Sequence, residues 1–327
     1  MVSPELVLLD VAHGNCAVIL SSVTAAIVDA PRGGLHIDAL KARERVEVHA
    51  VVISHADADH MSGVTHLLYD EDVHVHAVYV NGDATKTSAG GGLIWESFAI
   101  ALADAERRGV TRVEAIKRGD TVDLPDDGVR LEILAPPTAL VLLSAGGRTG
   151  GEPLTSNALS VVVRVWFGAE PVALLTGDLD DLGLRKLLDE GDDLHARVMV
   201  FPHHGGHSGG DDETFAASIS QAVRPDFVVF SFGREQFDNP RPEIIRGTRA
   251  GSPEATIACT QLSRACSPDS LDPLHLAPLP AQGRNLGRCC AGSLLFEATG
   301  LREPIADDHA RFVEGSVPTP LCMRATD

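Results

Sequence analysis

The sequence lacks an apolar run that could cross a membrane, and it is poor in basic residues. No stretch of the 327 residues approaches the roughly 18–20 apolar residues that a transmembrane helix needs. No positively charged segment precedes an apolar one at the amino terminus, so we expect no secretory signal, a cytoplasmic location and no membrane contact. Lys and Arg number 27 against 46 Asp and Glu, which gives a net charge of −19. This excludes duplex binding through a broad basic face, although bound cations can reverse the field in a cleft.

Cysteines are few, and five of the six lie towards the carboxyl terminus. Cys259 and Cys266, with the pair Cys289-Cys290, flank a proline-rich loop that contains His275. In a reducing compartment such a cluster indicates a metal before disulfides. Any four of these five side chains could bind a structural zinc ion. The alternative is a set of buried free thiols.

The hydrophobic pattern predicts an α/β fold in which helices cover sheets, an α/β sandwich rather than a doubly wound sheet. We predict strands at 5–11, 16–20, 25–29, 48–54, 73–80, 129–135, 159–167, 171–176, 197–202 and 226–231, and helices near 36–45, 61–69, 93–108, 180–189 and 212–222. Residues 81–92 and 136–157 are rich in Gly, Ser, Thr and Pro and are predicted to be mobile surface loops. The pattern changes near residue 250, so we predict a main domain over 1–248 and a small cysteine-containing extension over 249–327.

Four candidate metal ligands follow a buried strand within six residues. They are His55, Asp57, Asp59 and His60. Two imidazoles with two carboxylates suit zinc, manganese or a similar divalent ion. Residues two apart on an extended loop point to the same side, so His55 and Asp57 could share one ion while Asp59 and His60 turn towards a second. A helix cap with two incidental histidines is the alternative.

Two further strand ends carry the same residue types. Asp178 follows Gly177 at the end of one strand, where its carboxylate could bridge two cations. His203, His204 and His207 follow the next strand and could bind a metal or face a phosphate. Because all these residues follow strands, we expect them to converge on one rim of the sheets.

Three motifs, in this order, resemble those of the metallo-β-lactamase superfamily: His55-x-Asp57-x-Asp59-His60, Gly177-Asp178 and Pro202-His203-His204-Gly205. They look most like the hydrolase domain of ComEC-type competence (DNA-uptake) proteins. Three other segments resemble that group as well: Leu9 to Cys16, Ile27-Val28-Asp29, and Ser156 to Ser160. The resemblance covers roughly residues 5–248, and no membrane channel accompanies it, so a stand-alone soluble relative is expected.

The resemblance implies an αββα sandwich that binds one or two divalent ions, zinc or manganese. It implies ligands among His55, Asp57, Asp59, His60, Asp178, His203 and His204. Asp59 would also orient the attacking water, His207 and Arg241 would hold the scissile phosphate, and Asp29 and Asn157 would lie behind the ligands. Most of the superfamily has histidine where Asp57 stands, which favours a harder ion such as manganese at that site. Asn157 stands where a further histidine is usual.

These features predict a metal-dependent hydrolase whose metal-activated water cleaves a phosphodiester, most specifically in DNA. The charge of −19 favours a narrow cleft or single-stranded substrates. A small-molecule hydrolase acting on a lactam, lactone, thioester or cyclic nucleotide is the second reading, and a non-catalytic scaffold the third. The competence-type resemblance also implies a protein partner from the same system.

Overall fold

Two sheets packed face to face form the centre of the molecule. The computed structural model describes residues 3–81, 91–125, 128–271, 273–297, 300–301 and 305–323. The strands are β1 (Glu5–Leu8), β2 (Ala17–Leu20), β3 (Ala25–Val28), β4 (Glu47–Ile53), β5 (His74–Val75), β6 (Ala77–Val80), β7 (Arg112–Ala115), β8 (Thr121–Asp123), β9 (Val129–Ala135), β10 (Arg148–Thr149), β11 (Glu152–Pro153), β12 (Val162–Phe167), β13 (Glu170–Leu175), β14 (Val198–Val200), β15 (Phe227–Phe230), β16 (Thr256–Cys259), β17 (Leu294–Glu297) and β18 (Gly300–Leu301). The helices are α1 (Leu35–Ala42), α2 (Ala58–Met61), α3 (Val64–Tyr69), α4 (Gly91–Arg107), α5 (Thr138–Leu143), α6 (Asp181–Asp189), α7 (Asp212–Val223), α8 (Pro242–Gly251) and α9 (Ile305–Ser316).

Each sheet combines an antiparallel and a parallel half. The first has the order β18-β17-β1-β2-β3-β4-β6-β7, with β5 beside β4, and it is parallel from β3 onward. The second has the order β16-β15-β14-β13-β12-β9-β8, and it is parallel from β13 to β16. Parallel neighbours place their carboxyl ends at the same edge, which is where the candidate ligands were predicted to meet.

Side-chain alternation along the strands creates the layers. In β4, Ala50 and Val52 point to the other sheet, whereas Val51 and Ile53 pack with helices α1 to α4. The outer face of the second sheet packs in the same way against α6, α7, α8 and α9. Burial of each such aliphatic side chain stabilises the fold by roughly 1.5–3 kcal/mol. The predicted αββα sandwich is confirmed.

The predicted mobile loop over residues 136–157 is largely wrong. This segment contains α5 and a hairpin of β10 and β11. Leu140 and Leu154 are buried and pack with Leu159 and Leu182. The glycines and prolines of the segment lie between short elements, and its buried leucines pack these elements against the rest of the protein. In the other predicted loop, residues 82–90 lie outside the described residues.

The carboxyl-terminal extension completes both sheets. β16 lies parallel to β15 at the edge of the second sheet, and β17 pairs antiparallel with β1 in the first. Helix α8 runs across the predicted boundary at residue 248. The division into 1–248 and 249–327 stays a prediction, and the described strands show close structural integration of the two parts. Among the described helices, none combines the length and apolar character that crossing a bilayer requires.

Candidate metal centre

Three strands end at one edge of the sandwich and deliver histidines and aspartates to one place. β4 leads into residues 54–60, β13 into Asp178, and β14 into His204. The backbone N–H of His203 donates to the carbonyl of Gly177 at 3.2 Å, which ties the last two strand ends together. A tight turn is needed there: Gly177 has φ +54°, and a Cβ on it would lie 2.8 Å from the Cβ of Ser54.

The first donor group joins Asp59, His60, Asp178 and His204. Asp178 Oδ1 lies 3.2 Å from His60 Nε2 and 3.3 Å from His204 Nε2. The same His204 nitrogen lies 3.3 Å from Asp59 Oδ2. All four donor atoms lie within 4.8 Å of one another. Such a set could close around one divalent ion with a short adjustment.

The second donor group joins His55, Asp57 and Asp178. His55 Nε2 lies 3.4 Å from Asp57 Oδ2 and 3.7 Å from Asp178 Oδ2. Asp178 therefore faces the first group with Oδ1 and the second with Oδ2. One carboxylate between two donor groups is the arrangement that bridges a pair of ions.

Hydrogen bonds on the far side of the rings aim the histidines inwards. The Nδ1–H of His204 donates to the carbonyl of Ser231 at 2.7 Å. The Nδ1–H of His60 donates to Asp29 at 2.7 Å, and Asp29 also accepts from the backbone N–H and the hydroxyl of Ser54 at 2.7 and 2.8 Å. These bonds leave the Nε2 lone pairs facing the centre, as metal-binding imidazoles require. Asp29 thus lies behind a candidate ligand, where the sequence predicted it.

The donor set has the chemistry of a divalent-cation site. Among the described residues, the inward Nε2 atoms of His55, His60 and His204 and the Oδ1 of Asp178 are buried and have no hydrogen-bond partner. Buried polar atoms of this kind are costly unless an ion or water satisfies them. The ion pairs of Asp59 and Asp178 among the described residues involve histidines and no Lys or Arg. The residues present therefore fit a metal ion.

The electrostatics of the centre agree with this fit. Burial alone would raise the pKa of Asp178, yet the imidazoles of His204 and His60 hold it well below its usual range. Burial alone would lower the pKa of His60, but the carboxylates of Asp178 and Asp29 raise it well above its ordinary value. Surroundings that stabilise a protonated imidazole also stabilise a divalent cation, because both interactions are attraction to the same carboxylates.

Backbone strain is concentrated around the centre. The non-glycine residues Ala12, Asp29, His203 and His204 have φ angles of 62°, 60°, 50° and 56°. A left-handed conformation costs such residues about 1–3 kcal/mol each and persists where the surrounding structure fixes it. Strain of this kind is typical of functional sites.

A match to a family model identifies the superfamily of this chain. The metallo-beta-lactamase superfamily model matches residues 9–207, more than half of the chain. The chain belongs to the metallo-β-lactamase superfamily. The match includes every residue of both donor groups, so the chain is a metal-dependent hydrolase of this superfamily with a candidate two-metal site.

Three individual proteins show a distant similarity to this chain. ComE operon protein 3 of Bacillus subtilis (strain 168) is 23% identical over 208 residues, which are 63% of this chain and 23% of that protein. The chain thus spans under a quarter of that relative. Igni18, a metallo hydrolase from Ignicoccus hospitalis, has a TM-score of 0.46 at 15% identity, covering 78% of this chain and 94% of its own. YhfI, a metallo-β-lactamase fold protein from Bacillus subtilis, has a TM-score of 0.48 at 11% identity, covering 78% and 96%.

Not every predicted ligand of this superfamily member joins a donor group. His203, named with His204 as a candidate ligand, is in neither of the two groups found among the described residues. Its Nδ1 lies 3.3 Å from the side-chain nitrogen of Asn157. The left-handed turn at both histidines separates their side chains and sends only His204 to the first group. Asn157 therefore lies beside His203.

The two candidate phosphate-binding residues share a partner that the sequence analysis missed. His207 Nδ1 and Arg241 Nε lie 2.9 and 2.8 Å from the two carboxylate oxygens of Asp212. Asp212 is buried at the start of α7 and also accepts from the backbone N–H and hydroxyl of Ser208. His207 and Arg241 are both exposed, so one buried carboxylate holds two nitrogen-bearing side chains at the surface. The sequence did contain a signal for Asp212, because acidic residues are common in the first turn of a helix.

His13 is a second residue that the sequence analysis did not assign. Its Nε2 lies 3.4 Å from Asp59 Oδ2, and its ring centroid is 4.4 Å from that of His204. It follows β1, within the segment from Leu9 to Cys16 that carries part of the competence-type resemblance. A histidine after a strand end was the available signal, but antiparallel β1 gave no reason to expect it at this edge.

Asp10 ties the segment before His13 to the carboxyl-terminal extension. This carboxylate is fully buried and accepts from the N–H of Gly283 and the side chain of Gln261, both at 2.9 Å. It also accepts from the backbone N–H of Ala12 at 3.1 Å and the thiol of Cys289 at 3.2 Å. The extension thus holds one loop of the metal centre in place.

The structure brings only some of the predicted structural-zinc residues together. Cys259, Cys266 and Cys290 line one small cavity in the extension. Cys289 instead donates to Asp10, and His275 Nε2–H donates to the carbonyl of Cys290 at 2.9 Å. Within the described part of the chain, no group of three close donor atoms includes a thiol. The geometry therefore favours the alternative of buried free thiols.

Proposed function

We propose that this protein is a metal-dependent phosphodiesterase that cleaves DNA. The observation that carries the proposal is Asp178, whose two oxygens face two separate donor groups. Ions about 3.5–4 Å apart can clamp the attacking and leaving oxygens of an in-line displacement at phosphorus. His55, Asp57 and Asp178 would hold one ion, and Asp59, His60, Asp178 and His204 the other. When bound, such ions supply Lewis acidity and lower the pKa of water.

The remaining residues position the reactants. The Asp59 side chain is 27% exposed while the rings of His60 and His204 are fully buried, so it lies on the solvent side of the first group. From there it can orient a water molecule towards phosphorus and accept its proton. His207 and Arg241, held by Asp212, offer hydrogen-bond donors to the phosphate oxygens.

The choice of DNA follows from the competence-type resemblance of the motifs, together with the match to ComE operon protein 3 over 63% of this chain. The net charge of −19 opposes long polyanions at a distance. We therefore propose a single-stranded or otherwise accessible substrate that reaches the ions through a local contact, in the cytoplasm, with a protein partner from the same system. Manganese or zinc is the proposed metal, since the donors are imidazoles and carboxylates.

A metal-swap assay tests the proposal. The protein is stripped of metal, supplied with manganese, zinc, magnesium or no metal, and incubated with single-stranded and double-stranded DNA. Asp59→Ala is the inactive control, and Asp181→Asn is a matched surface control, because Asp181 pairs with Arg185 at the surface. We expect metal-dependent cutting that Asp59→Ala abolishes and Asp181→Asn retains.

Two results would contradict the proposal. If no metal gave cutting of either DNA, the nuclease assignment would be wrong, and a panel of lactam, lactone, thioester and cyclic nucleotide substrates would test the small-molecule alternative. If Asp59→Ala cut as fast as the unmodified protein, the activity would come from a contaminant or another site.

A further inference from the structure

An exposed aromatic ring stands beside the metal centre. Phe237 is 56% exposed and is the most exposed of the ten phenylalanines, all of which lie within the described residues. Its ring centroid is 4.7 Å from that of His13, at an interplanar angle of 46°. His13 in turn contacts Asp59 and His204 of the first donor group. One imidazole therefore separates an open aromatic face from the candidate ligands.

The segment that carries this ring is firmly held. The guanidinium of Arg234 is buried and donates to the carbonyls of Leu262 and Ser267 at 2.6 and 2.9 Å. The backbone N–H of Arg234 donates to Gln261 Oε1 at 2.9 Å. At Gly233 the segment touches the loop of the metal centre, since a Cβ there would lie 2.7 Å from the backbone nitrogen of His13. The chain is thus anchored just before Phe237, next to the loop that carries His13.

We propose that Phe237 is the stacking platform for the nucleobase next to the scissile phosphodiester. The inference rests on the proposed function and narrows its substrate to strands whose bases are unpaired. A base can lie on an aromatic face only after it leaves a duplex stack, and such stacking accepts every base. It also supplies affinity without basic residues, which suits a chain with a net charge of −19.

The placement of charge near the ring supports stacking over phosphate capture. Two arginines already pair with acidic residues that flank Phe237: Arg264 with Asp238 at 2.6 Å, and Arg288 with Glu235 at 2.6 Å. Few phosphate contacts mean that few counterions are released on binding. We therefore expect affinity for a single strand to fall only weakly as salt rises, unlike that of proteins that grip the backbone.

The experiment is a double-mutant-type cycle that combines variants of Phe237 with complete and abasic DNA strands. Phe237→Ala removes the ring, Phe237→Leu keeps apolar surface without an aromatic face, and Phe237→Trp keeps the face. Each is assayed with a short single strand and with matched strands that lack one base beside the cleaved bond. We expect Phe237→Ala and Phe237→Leu to raise KM roughly 5-fold to 100-fold, the range of losing one stacked base, while kcat stays within about threefold. Phe237→Trp should match the unmodified protein.

The abasic strand supplies the decisive control. The unmodified protein should lose as much affinity on it as Phe237→Ala loses on the complete strand, and the two losses should not add. In the metal-free state, Phe237→Trp should change its fluorescence on binding a complete strand and change it less with the abasic one. Unfolding temperatures within a few degrees of each other would show that the variants are folded.

The outcomes separate the two proposals. If the unmodified protein cleaves complete and abasic strands with equal KM, and Phe237→Ala changes neither, the stacking inference is overturned while the phosphodiesterase assignment stands. If the unmodified protein cleaves no DNA with any metal, the proposed function fails and the stacking inference fails with it.

Discussion

The molecule contains two regions rich in metal-ligand residue types, and they have opposite characters. At the candidate metal centre, inward-facing donor atoms of His55, His60, His204 and Asp178 lie close together and have no hydrogen-bond partner within the part of the chain that the structure describes. In the extension, Cys259, Cys266, Cys290 and Cys322 line a small apolar cavity, and we call them the thiol cluster. Burial raises the pKa of each of its thiols, that of Cys322 to about 11.

These two regions show that residue type and proximity alone do not make a metal site. The metal centre contains carboxylates that need positive charge, and hydrogen bonds from the far side fix its imidazoles. The thiol cluster contains neutral groups packed among aliphatic side chains such as Val313 and Leu262. Its thiols satisfy packing because a neutral cysteine behaves as a small apolar residue.

The largest expected effect comes from Asp178, the residue shared by both donor groups. Asp178→Asn removes the bridging charge, so the protein should lose bound metal, and DNA cleavage should fall by about a thousandfold or more. Metal content by mass spectrometry and turnover would be measured together, with Asp181→Asn as control. The metal-free variant should unfold earlier than the metal-free parent, because the favourable interactions of the Asp178 carboxylate with His60 and His204 are lost. Retention of two ions by Asp178→Asn would refute the bridging role.

A smaller loss is expected at Asp29, which orients His60 from behind. Asp29→Asn keeps the size of the side chain but weakens the acceptor for the His60 Nδ1–H and for Ser54. Changes in residues behind a ligand typically lower metal affinity 10–100-fold. Competition with a chelator would measure this, and Asp38→Asn on the exposed side of α1 is the control. Unchanged affinity would mean that Asp29 serves only to stabilise the loop.

The thiol cluster provides the opposite test. The double variant Cys259→Ser, Cys266→Ser should keep the metal content of the parent, while its free energy of unfolding falls by about 1–3 kcal/mol because hydroxyls enter an apolar cavity. Cys259→Val, which keeps the site apolar, should lose less. A fall of one ion per chain in the double variant would establish a structural metal and erase the contrast between the two regions.

The smallest expected effect concerns His309, whose Nε2 lies 3.4 Å from the sulfur of Cys290. Burial, with a further contribution from His275, lowers the pKa of His309 from 6.5 to about 4. In that pH window the unfolded chain binds a proton that the folded chain does not, so stability contributed by neutral His309 is present above pH 6.5 and is lost as pH falls. Between pH 7.5 and 5.5 the parent should lose about 1 kcal/mol more than His309→Leu. Denaturant unfolding at both pH values would measure the difference, and parallel curves would contradict it.

Local sequence predicted the parts of the fold that depend on local patterns. The apolar runs predicted most central strands, and candidate ligands that are adjacent along the chain, such as Asp59 and His60, lie in one donor group. Helix α8 was missed although it begins with Pro242, a common first helical residue. The segment at 136–157 was wrongly predicted to be a mobile loop because the prediction relied on its glycines and did not consider the packing of its leucines.

Long-range pairings lay beyond local patterns. His13 reaches the metal centre because β1 lies inside a sheet whose order no local signal specifies. Asp212 gathers His207 and Arg241 across about thirty residues of chain, and Cys289 meets Asp10 across almost the whole chain. Such contacts depend on which elements pack together, and that depends on the complete tertiary structure.

The buried carboxylate of Asp10 has a consequence for the timing of folding. Its partners Gln261 and Gly283 come 251 and 273 residues after Asp10, and strand β17, which pairs with β1, follows them. During synthesis, the Asp10 carboxylate therefore lacks these partners until the chain has been made beyond them. A nascent chain that stopped before this segment would contain the candidate ligands but not the contacts that hold the loop carrying His13 beside them.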